Sequence, residues 1–147
     1  MDIQYLAGYF DGEGSISIQK WEGVKRPGSN VTTSYQLHIK VTNTYRVVLG
    51  EFQQRFGGKV MSRGVSKQFP NSRPVYDWAI GGKLARTFLT EILPYLVEKR
   101  PQAELTLQMP YNRDWHRSFT DRKRSPEEKA LQERIYQEVK RLKYIRY

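Results

Sequence analysis

Asp11 and Glu13 stand two residues apart, interleaved with Gly12 and Gly14. Carboxylates at a point where glycines free the backbone to bend suit a hard, oxygen-seeking cation such as Mg²⁺, with exposed carbonyls as further donors. An isolated Asp-Gly-Glu-Gly reads better as a capped helix end followed by a turn. Other metal chemistry is poorly supplied. The 147 residues contain no Cys and only two His, His38 and His116. Zinc–thiolate sites and disulfide scaffolds are thereby excluded.

The elements that must hold these carboxylates follow from the hydrophobic pattern. Residues 2–11 read as a short helix with Asp2 as N-cap and Ile3, Leu6 and Phe10 in one stripe, ended by Gly12 and Gly14. The small residues Ala7 and Gly8 allow another helix to come close. Residues 15–21 alternate, with Ile16 and Ile18 on one face and Ser15, Ser17, Gln19 and Trp21 on the other. A turn-rich loop, 22–33, leads to a second alternating strand at 34–41, with Tyr35, Leu37, Ile39 and Val41 inward. Thr44 is positioned to cap a helix over 45–56 that ends at Gly57-Gly58. Strands at 59–63 and 75–80 flank a polar loop, 64–74. A helix over 83–93, with Leu84, Phe88, Leu89, Ile92 and Leu93 as its apolar residues, and a short one over 102–109 come next. Ser125, Pro126 and Glu128 open a last helix whose Leu131, Ile135, Val139 and Leu142 repeat at helical spacing, a pattern that favours core packing.

The order α-β-β-α-β-β-α implies an α+β fold: an antiparallel, saddle-like sheet with helices on one face, plus C-terminal helices. Residues 1–109 form the expected core, and 110–147 a basic connection and helix packed on the same domain.

The free face of that sheet carries a second chemistry. Its outward residues are Ser17, Gln19, Trp21, Gln36, His38, Lys40, Met61 and Arg63, with no acid across the first three strands. Many are side chains that hydrogen-bond base edges in the DNA major groove, which a β-ribbon can enter. On the fourth strand Tyr76, Trp78 and Ile80 read as core, leaving Arg73, Val75 and Asp77 outward; a one-residue slip reverses this. The loops add Lys25, Arg26, Lys67, Gln68 and Arg73 as phosphate or base contacts. Arg113, Arg117 and 122–124 are candidates for flanking phosphates.

Charge distribution agrees. The chain carries +10 overall, and residues 15–86 hold twelve bases against three acids, a net +9. A polyanion is the natural partner of such a segment. No apolar run approaches the roughly 18 residues of a membrane span, and a basic-then-apolar export segment is not evident at the start. An intracellular setting without membrane contact is expected.

The stretch Leu6-Ala7-Gly8-Tyr9-Phe10-Asp11-Gly12-Glu13-Gly14 resembles the LAGLIDADG motif of homing endonucleases, with Glu in place of the second Asp. The strand order and the later stretch Phe88-Leu89-Thr90-Glu91-Ile92-Leu93-Pro94-Tyr95-Leu96-Val97-Glu98-Lys99 match as well. The likeness covers about residues 5–109. Phe10 to Ser15 also has a fainter likeness to the nucleophile loop of haloacid-dehalogenase phosphatases. That loop follows a strand in a βαβ series, which this chain lacks.

The LAGLIDADG resemblance implies a sequence-specific endonuclease that cleaves double-stranded DNA by metal-dependent phosphodiester hydrolysis. A single motif implies a symmetric homodimer on a long pseudo-palindromic site. The helix contact is expected at Leu6, Ala7, Gly8 and Phe10. The family's metal-binding acid falls on Glu13 and its backbone ligand on the Gly12 carbonyl, for Mg²⁺ or another divalent cation. Its basic residue near the scissile phosphate falls on Lys99, and two further pocket positions on Asn43 and Arg46. Asn43 stands where the family often has Gln. The competing reading on the same fold is a DNA-binding regulator or intron-splicing maturase that does not cleave.

Overall fold

The structure, a computed structural model, describes residues 1–23, 33–110 and 125–145. Helix α1 (Ile3–Glu13) leads into strand β1 (Gly14–Glu22), which pairs antiparallel with β2 (Thr33–Asn43). Helix α2 (Arg46–Phe56), strands β3 (Lys59–Gly64) and β4 (Val75–Gly81), and helix α3 (Gly82–Ile92) repeat the pattern. A 3-10 turn (Leu93–Tyr95), α4 (Arg100–Leu107) and α5 (Pro126–Lys143) complete the fold. The sheet is antiparallel with order β1-β2-β4-β3.

Register settles the two faces. Ile16 pairs with Ile39, Ile39 with Ile80, and Val41 and Val60 with Trp78. These side chains meet α1, α2 and α3 in one core, where Trp78 stacks on Phe52 at 4.8 Å and Phe88 lies edge-on to Phe56 at 4.7 Å. Thr42 and Met61 both pair with Asp77, so the outward face of β4 is the one expected, and no slip occurs.

Several element ends differ from expectation. Helix α1 does not stop at residue 11 but runs through Gly12 and Glu13. The chain turns extended at Gly14, where a Cβ would lie 2.2 Å from Phe10 Cδ2 and 2.7 Å from the Phe10 carbonyl. Gly14, not Gly12, is therefore the glycine that the fold requires. Thr44 is not the cap of α2; Tyr45 is the N-cap residue, and Asn43 Oδ1 accepts its N–H at 2.9 Å. Leu84 lies outside the α3 stripe and is exposed, whereas Ala85 is buried.

Helix α5 begins as read, with Ser125 Oγ accepting the Glu128 N–H at 3.2 Å. Ile135 and Val139 pack with Ile18 and Met109 in a second cluster. The Lys20 ammonium reaches Glu133 at 3.0 Å, and the Tyr35 hydroxyl donates to the same carboxylate. Lys20 and Tyr35 are paired residues of β1 and β2. The C-terminal helix thus grips the β1–β2 ribbon near its loop end. Among the described residues no helix is long and apolar enough to cross a membrane.

Candidate active site and nucleic-acid interface

Asp11 is the centre of the local geometry. Its Oδ2 accepts the backbone N–H groups of Val97 and Glu98 at 2.9 Å each, and Oδ1 accepts that of Lys99 at 2.7 Å. The carboxylate so caps α4, whose N-cap position is Lys99 and has no side-chain cap of its own. In return, Lys99 Nζ donates to the Asp11 carbonyl. Burial pushes the Asp11 carboxyl up, but the three N–H donors and the Lys99 charge outweigh it, and the net shift is downward. Lys99 is itself 9% exposed. Its ammonium sits at the carbonyl end of α1, where the helix dipole favours a cation.

Glu13, the last residue of α1, is exposed and makes no ion pair among the described residues. Gly12 is one residue earlier, in the turn whose carbonyls lack intrahelical partners. Glu13 and Gly12 thus offer oxygen donors of the type a divalent cation takes. They do not close a site alone: no group of three or more potential metal-binding side chains occurs among the described residues. Asp11 cannot join them while it caps α4.

Asn43, at the end of β2, accepts the Tyr45 N–H through Oδ1 at 2.9 Å. Tyr9 is one turn before Glu13, and its hydroxyl pKa is raised by burial and by the Glu13 charge, with Asn43 opposing. Arg46 lies just after the second strand, as read. It opens α2, exposed, with its guanidinium 5.9 Å from the Tyr76 ring centre.

The expected subunit contact needs correction. Leu6, Ala7 and Phe10 are at most 1% exposed and belong to the subunit's own core. They occupy one helical stripe, and that stripe faces the sheet. Gly8 alone of the four faces outward, in line with Tyr5 and Gly12. A Cβ on Gly8 or Gly12 would meet nothing within 4 Å inside the subunit. Packing within one chain does not explain these two glycines.

On the outer sheet face Ser17, Gln19, Gln36, His38, Lys40, Trp21 and Met61 stand as read, from half-buried to exposed. The His38 ring is held below its ordinary pKa by burial and by the Lys40 and Lys143 charges. It is therefore a neutral donor and acceptor near pH 7. Lys67, Gln68 and Arg73 are exposed on the β3–β4 loop, along with Phe69, which the sequence reading passed over. Lys25, Arg26, Arg113, Arg117 and 122–124 lie outside the described residues. Asp77 is outward by register but 6% exposed, and both its oxygens are engaged. It is not a free base contact.

The family model described as LAGLIDADG endonuclease matches residues 6–97. No curated protein sequence matches the chain. Among solved structures it is similar to the homing endonuclease I-CvuI in complex with its target in the presence of calcium. That match has a TM-score of 0.66 at 22% identity, over 98% of this chain and 83% of that one. It is also similar to the archaeal intron-encoded homing endonuclease I-Vdi141I complexed with DNA, with a TM-score of 0.68 at 14% identity, over 99% and 86%. At these identities the likeness is one of fold.

Proposed function

The chain belongs to the LAGLIDADG endonuclease family, and on that premise we propose that it is a homing endonuclease, two copies of which cleave a long pseudo-palindromic DNA duplex with Mg²⁺ or another divalent cation. The observation that carries this reading is the exposed Glu13 carboxylate beside the Asp11–Lys99 clamp, next to a strand face rich in polar and basic groups. I-CvuI is a DNA complex with calcium or magnesium present, and I-Vdi141I is a DNA complex. Those partners, carried over, fit the +9 charge of residues 15–86.

Glu13 and the Gly12 carbonyl are the residues that would hold the cation. When bound, a divalent cation activates water and neutralises charge on the phosphate oxygens. Lys99 offers a fixed ammonium to the negative charge that develops as the phosphodiester is attacked. Asp11 keeps that ammonium and the turn before α4 in place. Asn43, at the end of β2, offers an amide for orienting water. Arg46, exposed at the start of α2, is suited to a backbone phosphate. The face of Gly8 and Gly12 brings two α1 helices together, so that each subunit adds a carboxylate and a carbonyl to the shared centre.

A regulator or splicing maturase without cleavage has no evident use for an unpaired acid at this basic edge. Selection of bound and of cleaved duplexes from a randomised library, with and without Mg²⁺, tests the proposal. Cut products of defined sequence only with the cation are expected. Bound sequences that are never cut with any divalent cation would favour the non-cleaving reading.

A further inference from the structure

The outer face of the sheet holds one buried acid at its centre. Asp77 Oδ1 accepts the Thr42 hydroxyl at 2.5 Å, and Oδ2 accepts Arg63 Nε–H at 2.5 Å. The Asp77 side chain is 9% exposed and the Arg63 side chain 53%. A carboxylate among bases on a DNA-facing surface opposes binding unless it has a task there. With both oxygens used, Asp77 cannot accept from a cytosine amino group.

Arg63 sits where the ladder breaks. Ser62 pairs with Tyr76 and Gly64 with Val75, so Arg63 is the extra residue of a bulge. Gly64 follows at φ 73°, a conformation that favours glycine. The bulge re-aims the Arg63 side chain over β4, onto the carboxylate. A guanidinium has five N–H donors in a rigid fork. Its single described bond uses Nε, which leaves the two Nη groups for something outside the protein.

We propose that the Thr42–Asp77–Arg63 relay sets Arg63 to read a guanine, through O6 and N7 in the major groove, at one position of each half-site. Asp77 is a positioning residue and Arg63 the specificity-determining one. This rests on the DNA-binding reading above and deepens it. Bidentate contact from Arg is the common way to read guanine, and it depends on the orientation of the fork. Phosphate contact needs no such fixing.

The test is the selection described above, run on the full chain with wild type, Arg63→Ala, Arg63→Lys and Asp77→Asn. Wild type should enrich guanine at a position that Arg63→Ala leaves unspecified. Discrimination there should fall roughly 5- to 150-fold, the span of a good bidentate pair, with other positions unchanged. Arg63→Lys should recover affinity but not the guanine preference. Asp77→Asn should weaken the same position alone, with an unchanged Tm. Replacing that guanine by 7-deazaguanine should weaken binding by wild type and not by Arg63→Ala. This last comparison decides the matter even if Asp77→Asn fails to fold, because Arg63 is half exposed. Loss of affinity uniform across sequences, with a salt slope lower by about one, would make Arg63 a phosphate contact and overturn the inference. Selection of no sequence by wild type would overturn the DNA-binding reading itself.

Discussion

Asp11 and Lys99 hold each other at both ends: the Asp11 carboxylate accepts the Lys99 backbone N–H at 2.7 Å, and the Lys99 ammonium donates to the Asp11 carbonyl. Through this reciprocal pair the end of the motif helix and the start of α4 become one unit. The first acid of the motif is structural, whereas the second, Glu13, is exposed and makes no ion pair among the described residues.

Removing the clamp should cost both stability and activity. Asp11→Ala deprives three N–H groups of a charged acceptor and is expected to destabilise the fold by about 1–3 kcal/mol. Asp11→Asn, which retains an acceptor oxygen, should cost less. The lowered Asp11 pKa adds a pH test. Its contribution is fully present above the ordinary carboxylate range and is lost as pH falls through the depressed folded value. Denaturant melts of both variants from pH 3 to 7 check this, with the stability gap to wild type narrowing toward acid.

Lys99→Ala should slow cleavage far more than it weakens binding, since the ammonium is buried against α1 and does not belong to the outer sheet face. Single-turnover cleavage beside equilibrium binding separates the two. A binding defect alone would remove Lys99 from the proposed chemistry.

The glycines of α1 divide by task. A Cβ at Gly8 meets nothing within 4 Å inside the subunit, and Gly8→Leu gains helix propensity. It should fold at least as well as wild type but sediment as a monomer. Gly14→Ala drives a Cβ into Phe10 and should instead cost about 1–3 kcal/mol by overpacking. Ultracentrifugation and thermal melts distinguish the two outcomes.

The α5 grip should show at both ends of the pH scale. Glu133 is held down at about 2 by Gln137, Tyr35 and Lys20, and Tyr35 is pushed up to about 12 by burial and the Glu133 carboxylate. The Glu133 contribution is complete above its ordinary value near 4.5 and disappears as pH falls toward 2. That of protonated Tyr35 is complete below 10 and disappears between 10 and 12. Glu133→Gln should remove the Glu133 share of the acid-side dependence and leave that of Asp11, measured by circular dichroism across pH.

The strand order, the core stripe of α5 and the outward face of β1 and β2 were legible because alternation and helical spacing record which side chains meet the core. The extent of α1 was not, because Gly12 reads as a stop until the extended turn at Gly14 is seen. Leu6, Ala7 and Phe10 were misplaced for a related reason. Small and apolar residues suit a core and an interface alike, and only the sheet beneath them decides. The clamping role of Asp11 was not legible, because its partners are backbone N–H groups about 86 residues away, which leave no mark on side-chain types. The engagement of Asp77 depends on a bulge at Arg63 that alternation cannot reveal.

The most direct test is cleavage of the selected duplex in Mg²⁺ by wild type and by Glu13→Gln, with binding measured in parallel. Cutting by wild type, and intact binding without cutting by Glu13→Gln, are predicted. Undiminished cleavage by Glu13→Gln would contradict the assignment of Glu13 as the acid on which hydrolysis depends.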